Sequence, residues 1–343
     1  MISRHRLPSR LSCLGFSWCL FWLFITLFPL YWVFVTSFKP PTAVSLGPTY
    51  FPGVDFQPTM NAYSDALFGK RGQLFSPLWH SMLISLTSAF LAVLIGSMAA
   101  YSLVRFEFRV KLLSGLFFVA FVVGAYLIGA NQYGLNKAFA TAIAFGIGLP
   151  LSIWINSWKI PGPILGNNDV LFWFVSQRMF PPIVSAFSLF LIYSETGKAG
   201  IPLLDTFVGM VLAYTAFTLP IAVWLMRDFI ASVPLEIEEA ALIEDVPRLR
   251  IFFDIVLPMT LPGLIATFVI VLSFIWNEFL YSLLLTTSKW QTLPVWLAGQ
   301  NSYRGDEWWA IAVAAVISIA PMVVVAATLA RFMRSGLAIG GIK

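Results

Sequence analysis

Eight apolar runs, at residues 15–37, 79–103, 112–132, 136–158, 171–194, 205–227, 260–285 and 308–331, constrain this chain more than any other feature. Each approaches or exceeds the ~20 residues that a helix needs to cross a hydrocarbon core of about 30 Å. Lipid offers no partner to backbone N–H and C=O groups, so a segment of this kind must satisfy them internally, as a helix does. The sequence therefore predicts an all-α polytopic membrane protein with about eight transmembrane helices. Composition agrees, since 59% of residues are apolar and 11% charged, against ~25% charged in soluble domains. The first run is too long for a signal peptide, and no small-x-small cleavage pattern follows it, so it is expected to be retained.

Lys and Arg placement sets the orientation, because the side facing the cytosol carries the excess. With the N-terminus in the cytosol, that side holds thirteen of the 21 Lys and Arg residues, among them Arg4, Arg105, Arg248 and Lys343. The other side holds seven, including Lys39, Lys198 and Lys289, and Arg178 falls inside a run. The expected order is a cytosolic tail at 1–14, a first transmembrane helix at 15–37 and an outer loop at 38–78. A transmembrane domain at 79–331 and a cytosolic tail at 332–343 follow. This bias accounts for the net charge of +5 without any nucleic-acid partner.

A charged island interrupts the oil between residues 232 and 258. Ser232 and Pro234 are placed to open a helix, since Ser caps free amides and Pro suits the first turn. Glu236, Glu238 and Glu239 then put negative charge near the positive end of the helix dipole. Ala240 and Ala241 are small enough to let a partner approach closely. Pro247 cannot lie inside a helix, so a turn is predicted near residues 245–247, with a second amphipathic helix ending at Leu257-Pro258.

These residues resemble the EAA loop of the inner-membrane permeases of bacterial binding-protein-dependent ABC importers, in particular the maltose-type carbohydrate family. The family pattern is Glu-Ala-Ala, three residues, Gly, then about nine to a hydrophobic-Leu-Pro; here it is Glu239-Ala240-Ala241, Asp245 in place of Gly, and Val256-Leu257-Pro258. Further matches run in order along the chain: SMAAYSLVRFEF from Ser97, RMFPP from Arg178, FTLPIAVWLMRDF from Phe217, WNEFLYSLLLT from Trp276 and the tail RSGLAIGGIK. The resemblance implies a type I ABC importer permease fold and import of a sugar, oligosaccharide or polyol across the inner membrane. It further implies a second homologous permease subunit, two cytosolic ATPase subunits and an extracytoplasmic solute-binding protein. On that reading Glu239, Ala240, Ala241, Asp245, Leu257 and Pro258 couple the ATPase to the membrane domain. Two extra apolar runs, about 112–158, separate segments that the family joins by a short loop, and are expected to form an inserted hairpin with its turn near Tyr133.

No GxxxxGK[ST] sequence occurs, so no P-loop is present; ATP is expected to be used by the partner ATPases, and this chain to bind no cofactor and to be no enzyme. Cys13 and Cys19 have no spacing for a disulfide or metal site, and His5 and His80 have no ligand neighbours at metal spacing. Polar residues within spans are costly and hence functional candidates. Gln177, Arg178, Asn277 and Glu278 are such candidates for a translocation path or subunit interface, with Arg178 and Glu278 at depths too different for an ion pair. Gly96 and Ala100 have the spacing for close helix packing. A secondary transporter driven by an ion gradient is the alternative, and an integral membrane enzyme the next.

Overall fold

A computed structural model describes residues 9–45, 47–68, 74–131, 137–158, 161–303 and 308–339. Its helices, in chain order, are α1 (Ser9–Thr36), α2 (Pro41–Ser45), α3 (Asn61–Leu67), α4 (Phe75–Arg105), α5 (Leu112–Asn131), α6 (Lys137–Ser157), α7 (Asn167–Ser176) and α8 (Pro182–Lys198). They continue with α9 (Phe207–Ala231), α10 (Leu235–Ile243), α11 (Arg248–Ile251), α12 (Leu257–Met259), α13 (Leu261–Trp276), α14 (Leu280–Leu285), α15 (Leu293–Tyr303) and α16 (Trp308–Ile339). Two-residue strands β1 (Val110–Lys111) and β2 (Ile164–Leu165) pair antiparallel. Among the described residues six helices are long and apolar enough to cross a membrane, and two bent helix pairs raise the number to eight if each is one span.

One bent pair and one interruption within a run correct the continuous runs expected from hydropathy. The run at 171–194 is broken: α7 with its last turn and α8 meet at 93°. Pro181 and Pro182 cause this, since neither can donate a backbone hydrogen bond and each drives its predecessor out of helical geometry. Phe180 and Pro181 are accordingly extended, with ψ of 141° and 124°. The run at 260–285 ends its first helix at Trp276 and resumes only at Leu280. Glu278 bridges the gap, its carboxylate accepting the N–H groups of Leu280, Tyr281 and Ser282 at the free end of α14.

The chain divides into two compact units. One comprises residues 1–78 and 296–323. Its α1 is apolar on all sides and largely exposed, as a lipid-facing helix should be. The loop after α1 is folded: Lys39, 3% exposed, donates to the Thr49 carbonyl at 2.6 Å and lies 4.0 Å from the Trp32 ring centre. Asp55 accepts the N–H groups of Tyr50 and Phe51, and Thr59 N–H donates to the Phe38 carbonyl.

The other unit comprises residues 79–295 and 324–343. Its centre is α9, whose buried face runs from Gly209 to Ile230. A Cβ on Gly96 would lie 2.6 Å from the Ala222 Cβ, so α4 and α9 touch almost backbone to backbone there, with Ala100 fully buried one turn on. Helices α5 and α6 form the expected hairpin and pack chiefly on each other, with Phe118, Phe121 and Val122 closing over Gly148. Its neck is clipped by the β1–β2 ladder and by Asn156, which accepts from Lys111 N–H and donates to the Arg109 carbonyl. The turn near Tyr133, His5 and the last four residues of the C-terminal tail lie outside the described residues, as do the side chains of Cys13 and of α16 beyond Thr328. The α16 backbone is helical through Ile339.

Candidate functional site

The 232–258 island folds as two short helical stretches, but not from the start predicted. Ser232 is the last residue of α9's exit: its N–H bonds the Asp228 carbonyl and its hydroxyl the Phe229 carbonyl. The helix start falls to Pro234, extended at ψ 131° with no side-chain cap. The correction is physical, because α9 runs on to Ala231 and leaves Ser232 satisfying that helix's free carbonyls.

Within α10 the two adjacent glutamates part. Glu239 is exposed, whereas Glu238 is 2% exposed. One Glu238 oxygen lies 2.7 Å from both Nε and Nη2 of Arg105, and the other accepts the Tyr101 hydroxyl at 2.8 Å. The second guanidinium nitrogen also donates to the carbonyls of Val233 and Ile230, at 2.8 and 3.3 Å. Arg105 therefore joins the end of α4, the end of α9 and the body of α10. These three residues were not singled out from the sequence as a site. A signal existed, since Glu238 lies three and four residues before Ala241 and Leu242, the helix face that packs into the core. Of the predicted pair of alanines, Ala240 is exposed and Ala241 partly buried against that core.

Asp245 has φ +57°, the left-handed region that Gly, the family's residue at this position, enters most readily. Its N–H bonds the Leu242 carbonyl and the Val246 N–H bonds Ala241, both at 3.1 Å, which is the paired bonding of a Schellman helix end. The second stretch then runs from Arg248 to Met259, one residue past the predicted end. A π-helical turn, Phe252–Val256, lies inside it just before Pro258. A widened turn relieves the clash of a proline ring with the carbonyl four residues earlier. Leu257 is half-buried and packs on the core, Pro258 is exposed, and at Thr260 the chain bends by 81° into α13. Tyr101 packs against Phe252, with ring centres 5.2 Å apart and planes inclined by 51°, and Ile251, Phe252 and Val256 share one buried cluster with Ala100, Met226 and Ile230.

The other candidates divide between two places. Gln177 and Arg178 line a cavity of about 410 Å³ together with Ser185, Phe217 and Tyr281. The Arg178 guanidinium lies 4.8 Å from the Phe274 ring centre and 5.3 Å from that of Phe217, and its Nη1 is buried without a hydrogen-bond partner. Phe217 is roughly 21 Å along α9 from Ala231 at 1.5 Å per residue, so this charge lies deep in the span. Asn277 and Glu278 do not line the cavity; Asn277 donates to the Ser273 carbonyl and Glu278 caps α14. Among the described residues no cluster of His, Cys, Asp or Glu has metal-binding geometry, and the His80 ring lies 4.6 Å from that of Trp290.

The family of binding-protein-dependent transport system inner membrane components matches residues 92–338, most of the chain, with the 232–258 loop and the Arg178 cavity inside the match. The chain belongs to this family. The permease is 28% identical over 323 residues to the inner membrane ABC transporter permease protein YcjP of Escherichia coli (strain K12), covering 94% of this chain and 92% of that protein. It is 26% identical to the trehalose/maltose transport system permease protein MalG of Thermococcus litoralis, covering 93% and 92%. In fold it is similar to a chain in the crystal structure of a bacterial ABC transporter involved in the import of the acidic polysaccharide alginate. That likeness has a TM-score of 0.61 and 17% identity, and covers 97% of this chain and 99% of that one.

Proposed function

We propose that the permease is the membrane-spanning subunit of an ATP-driven importer for a sugar, oligosaccharide or polyol, and that its 232–258 loop receives the motion of cytosolic ATPase subunits. The observation that carries this reading is the division of labour in α10. One face is held to the membrane helices by Glu238, while Glu239 and Ala240 are left exposed on the other. A helix anchored in this way, with a free carboxylate and a small neighbour outward, is suited to receive a partner's knob and cation. The half-buried Leu257 and the bend at Thr260 supply the joint to α13, and Pro258 fixes its geometry. The name of the Thermococcus relative, a trehalose/maltose permease, supports a carbohydrate solute.

The complete importer on this reading has a second permease subunit, two ATPase subunits and an extracytoplasmic solute-binding protein, with both termini of the permease in the cytosol and the 38–78 loop outside. ATPase closure rocks the bundle between inward-open and outward-open states. Gln177 and Arg178, in the wall of the deep cavity, belong to the translocation path. Asn277 and Glu278 serve the path indirectly, by holding the break between α13 and α14.

Uptake into vesicles, with the solute-binding protein present, tests the reading. Uptake should require the separate ATPase and be blocked by vanadate. Collapse of uptake by a protonophore at constant ATP would instead identify an ion-driven carrier. In Glu239→Ala, loss of one charge-assisted contact worth ~1.5–3 kcal/mol should weaken ATPase co-purification by about ten- to a hundred-fold while leaving membrane insertion intact. Normal co-purification and uptake would remove Glu239 from the docking face.

A further inference from the structure

The Glu238–Arg105–Tyr101 cluster does more than fill space. Arg105 and Glu238 side chains are 10% and 3% exposed, and taking such groups out of water is unfavourable unless their bonds are met. Here they are met by three different elements. Glu238 brings α10, Tyr101 and Arg105 bring the last turns of α4, and the carbonyls of Ile230 and Val233 bring the end of α9. A cation that bonds the last carbonyls of a helix also offsets the negative end of that helix's dipole. Beside the cluster, the second half of the loop is fixed to the same place. Phe252 packs on the Tyr101 ring, and the Arg248 guanidinium lies over the ring of Phe106, 5.1 Å from its centre.

From this geometry we infer that Arg105, Glu238 and Tyr101 are positioning residues that make α10, the end of α4 and the end of α9 a single rigid body, so that force received by the loop passes into α4 and α9 through this cluster. The inference rests on the loop's being the ATPase-receiving element. Without the cluster, α10 would be tied to the span by the two residues that follow Ser232, by the turn at Asp245 and by the partly buried Ala241 and Leu242, with no polar bond across to α4 or α9. A push on its exposed face would then swing the helix and move little else.

The test separates force transmission from docking and from folding. In Glu238→Ala the exposed face with Glu239 and Ala240 is untouched, so ATPase co-purification and basal ATP hydrolysis should persist. Uptake per inserted molecule should nevertheless fall at least tenfold. Glu238→Gln keeps an oxygen to accept from Arg105 and offers its amide N–H to the Tyr101 hydroxyl oxygen, and should restore uptake to within about threefold of wild type. If Glu238→Ala lowers the amount of folded protein too far to measure, the decisive variant carries Arg105→Cys and Glu238→Cys, with Cys13→Ser and Cys19→Ser. Uptake should be low, and should recover when a short flexible bis-thiol reagent joins the two positions. Wild-type uptake by Glu238→Ala overturns the inference, as does failure of the cross-link to restore uptake. A fall in uptake that tracks lost ATPase co-purification would make the cluster part of docking and equally overturn it. Failure of the docking reading itself would appear separately, as normal ATPase co-purification in Glu239→Ala.

Discussion

Asp245→Val should uncouple the loop, and Asp245→Gly should not. At φ +57° a side chain with a Cβ is crowded by about 1–2 kcal/mol, and only Gly, and to a lesser degree Asn and Asp, enters this region readily. Valine, branched at Cβ, leaves two routes. Either the turn persists and bears that strain, or it rearranges and loses the Val246-to-Ala241 and Asp245-to-Leu242 backbone bonds, each worth ~0.5–1.5 kcal/mol net. Both routes come to about 2 kcal/mol, roughly a thirty-fold shift toward an unlatched loop at 1.4 kcal/mol per decade. Glycine removes the crowding, and it removes one of two adjacent carboxylates at a helix C-terminus, an arrangement unfavourable by ~0.3–1 kcal/mol. Against this stands ~0.4–1 kcal/mol of added unfolded-chain entropy, so the net change is near zero. Uptake in vesicles and amide hydrogen exchange at positions 245 and 246 read the result. Exchange at 246 should accelerate at least tenfold in the Val variant and stay near wild type in the Gly variant. Loss of transport with Gly together with normal transport and exchange with Val would refute the turn argument and point to a specific contact by the Asp245 carboxylate.

Gly96→Val should lower the melting temperature of the detergent-solubilised permease. Its Cβ would lie 2.6 Å from the Ala222 Cβ and 3.1 Å from backbone atoms of Ala222 and Val223, and overpacking of this kind costs about 1–3 kcal/mol; unchanged melting would show that α4 and α9 are not in close contact. At Asp205, desolvation raises the carboxyl, but the Lys289 N–H, the Thr287 hydroxyl and the N–H groups of Trp290 and Ser288 outweigh it and hold the group well below its usual range. A depressed folded pKa gives stability that is complete above the ordinary Asp value of ~3.9 and is lost as pH falls through the folded value. The 286–292 turn should therefore be insensitive to pH between about 5 and 8 and be loosened by Asp205→Ala, seen as faster amide exchange at Ser288, Lys289 and Trp290; equal exchange in the two proteins would remove Asp205 as its clamp. Cysteine placed at Tyr133 should be labelled from outside intact cells; labelling only after permeabilisation would mean that the hairpin does not cross the membrane as two full spans.

The residues of this chain specify on their own every feature that depends on near neighbours. Runs of about 20 apolar residues announced membrane helices, Pro181-Pro182 carried the break in one of them, and the spacing from Glu239 to Pro258 marked the loop and the place of its turn. The turn near Asp245 was legible because Pro247 cannot continue a helix. Tertiary structure alone decided which of two adjacent glutamates is buried. Glu238 and Arg105 are 133 residues apart, and the face that Glu238 shares with Ala241 and Leu242 becomes the buried one only when α4 and α9 come together along Gly96 and Ala222. The same is true of Arg178 and Glu278, one in a cavity wall and the other capping a short helix. Hydropathy reports only whether a segment leaves water. Which polar group meets which partner depends on the packing of segments far apart in the chain, since a buried charge is tolerated only where several elements converge to satisfy it.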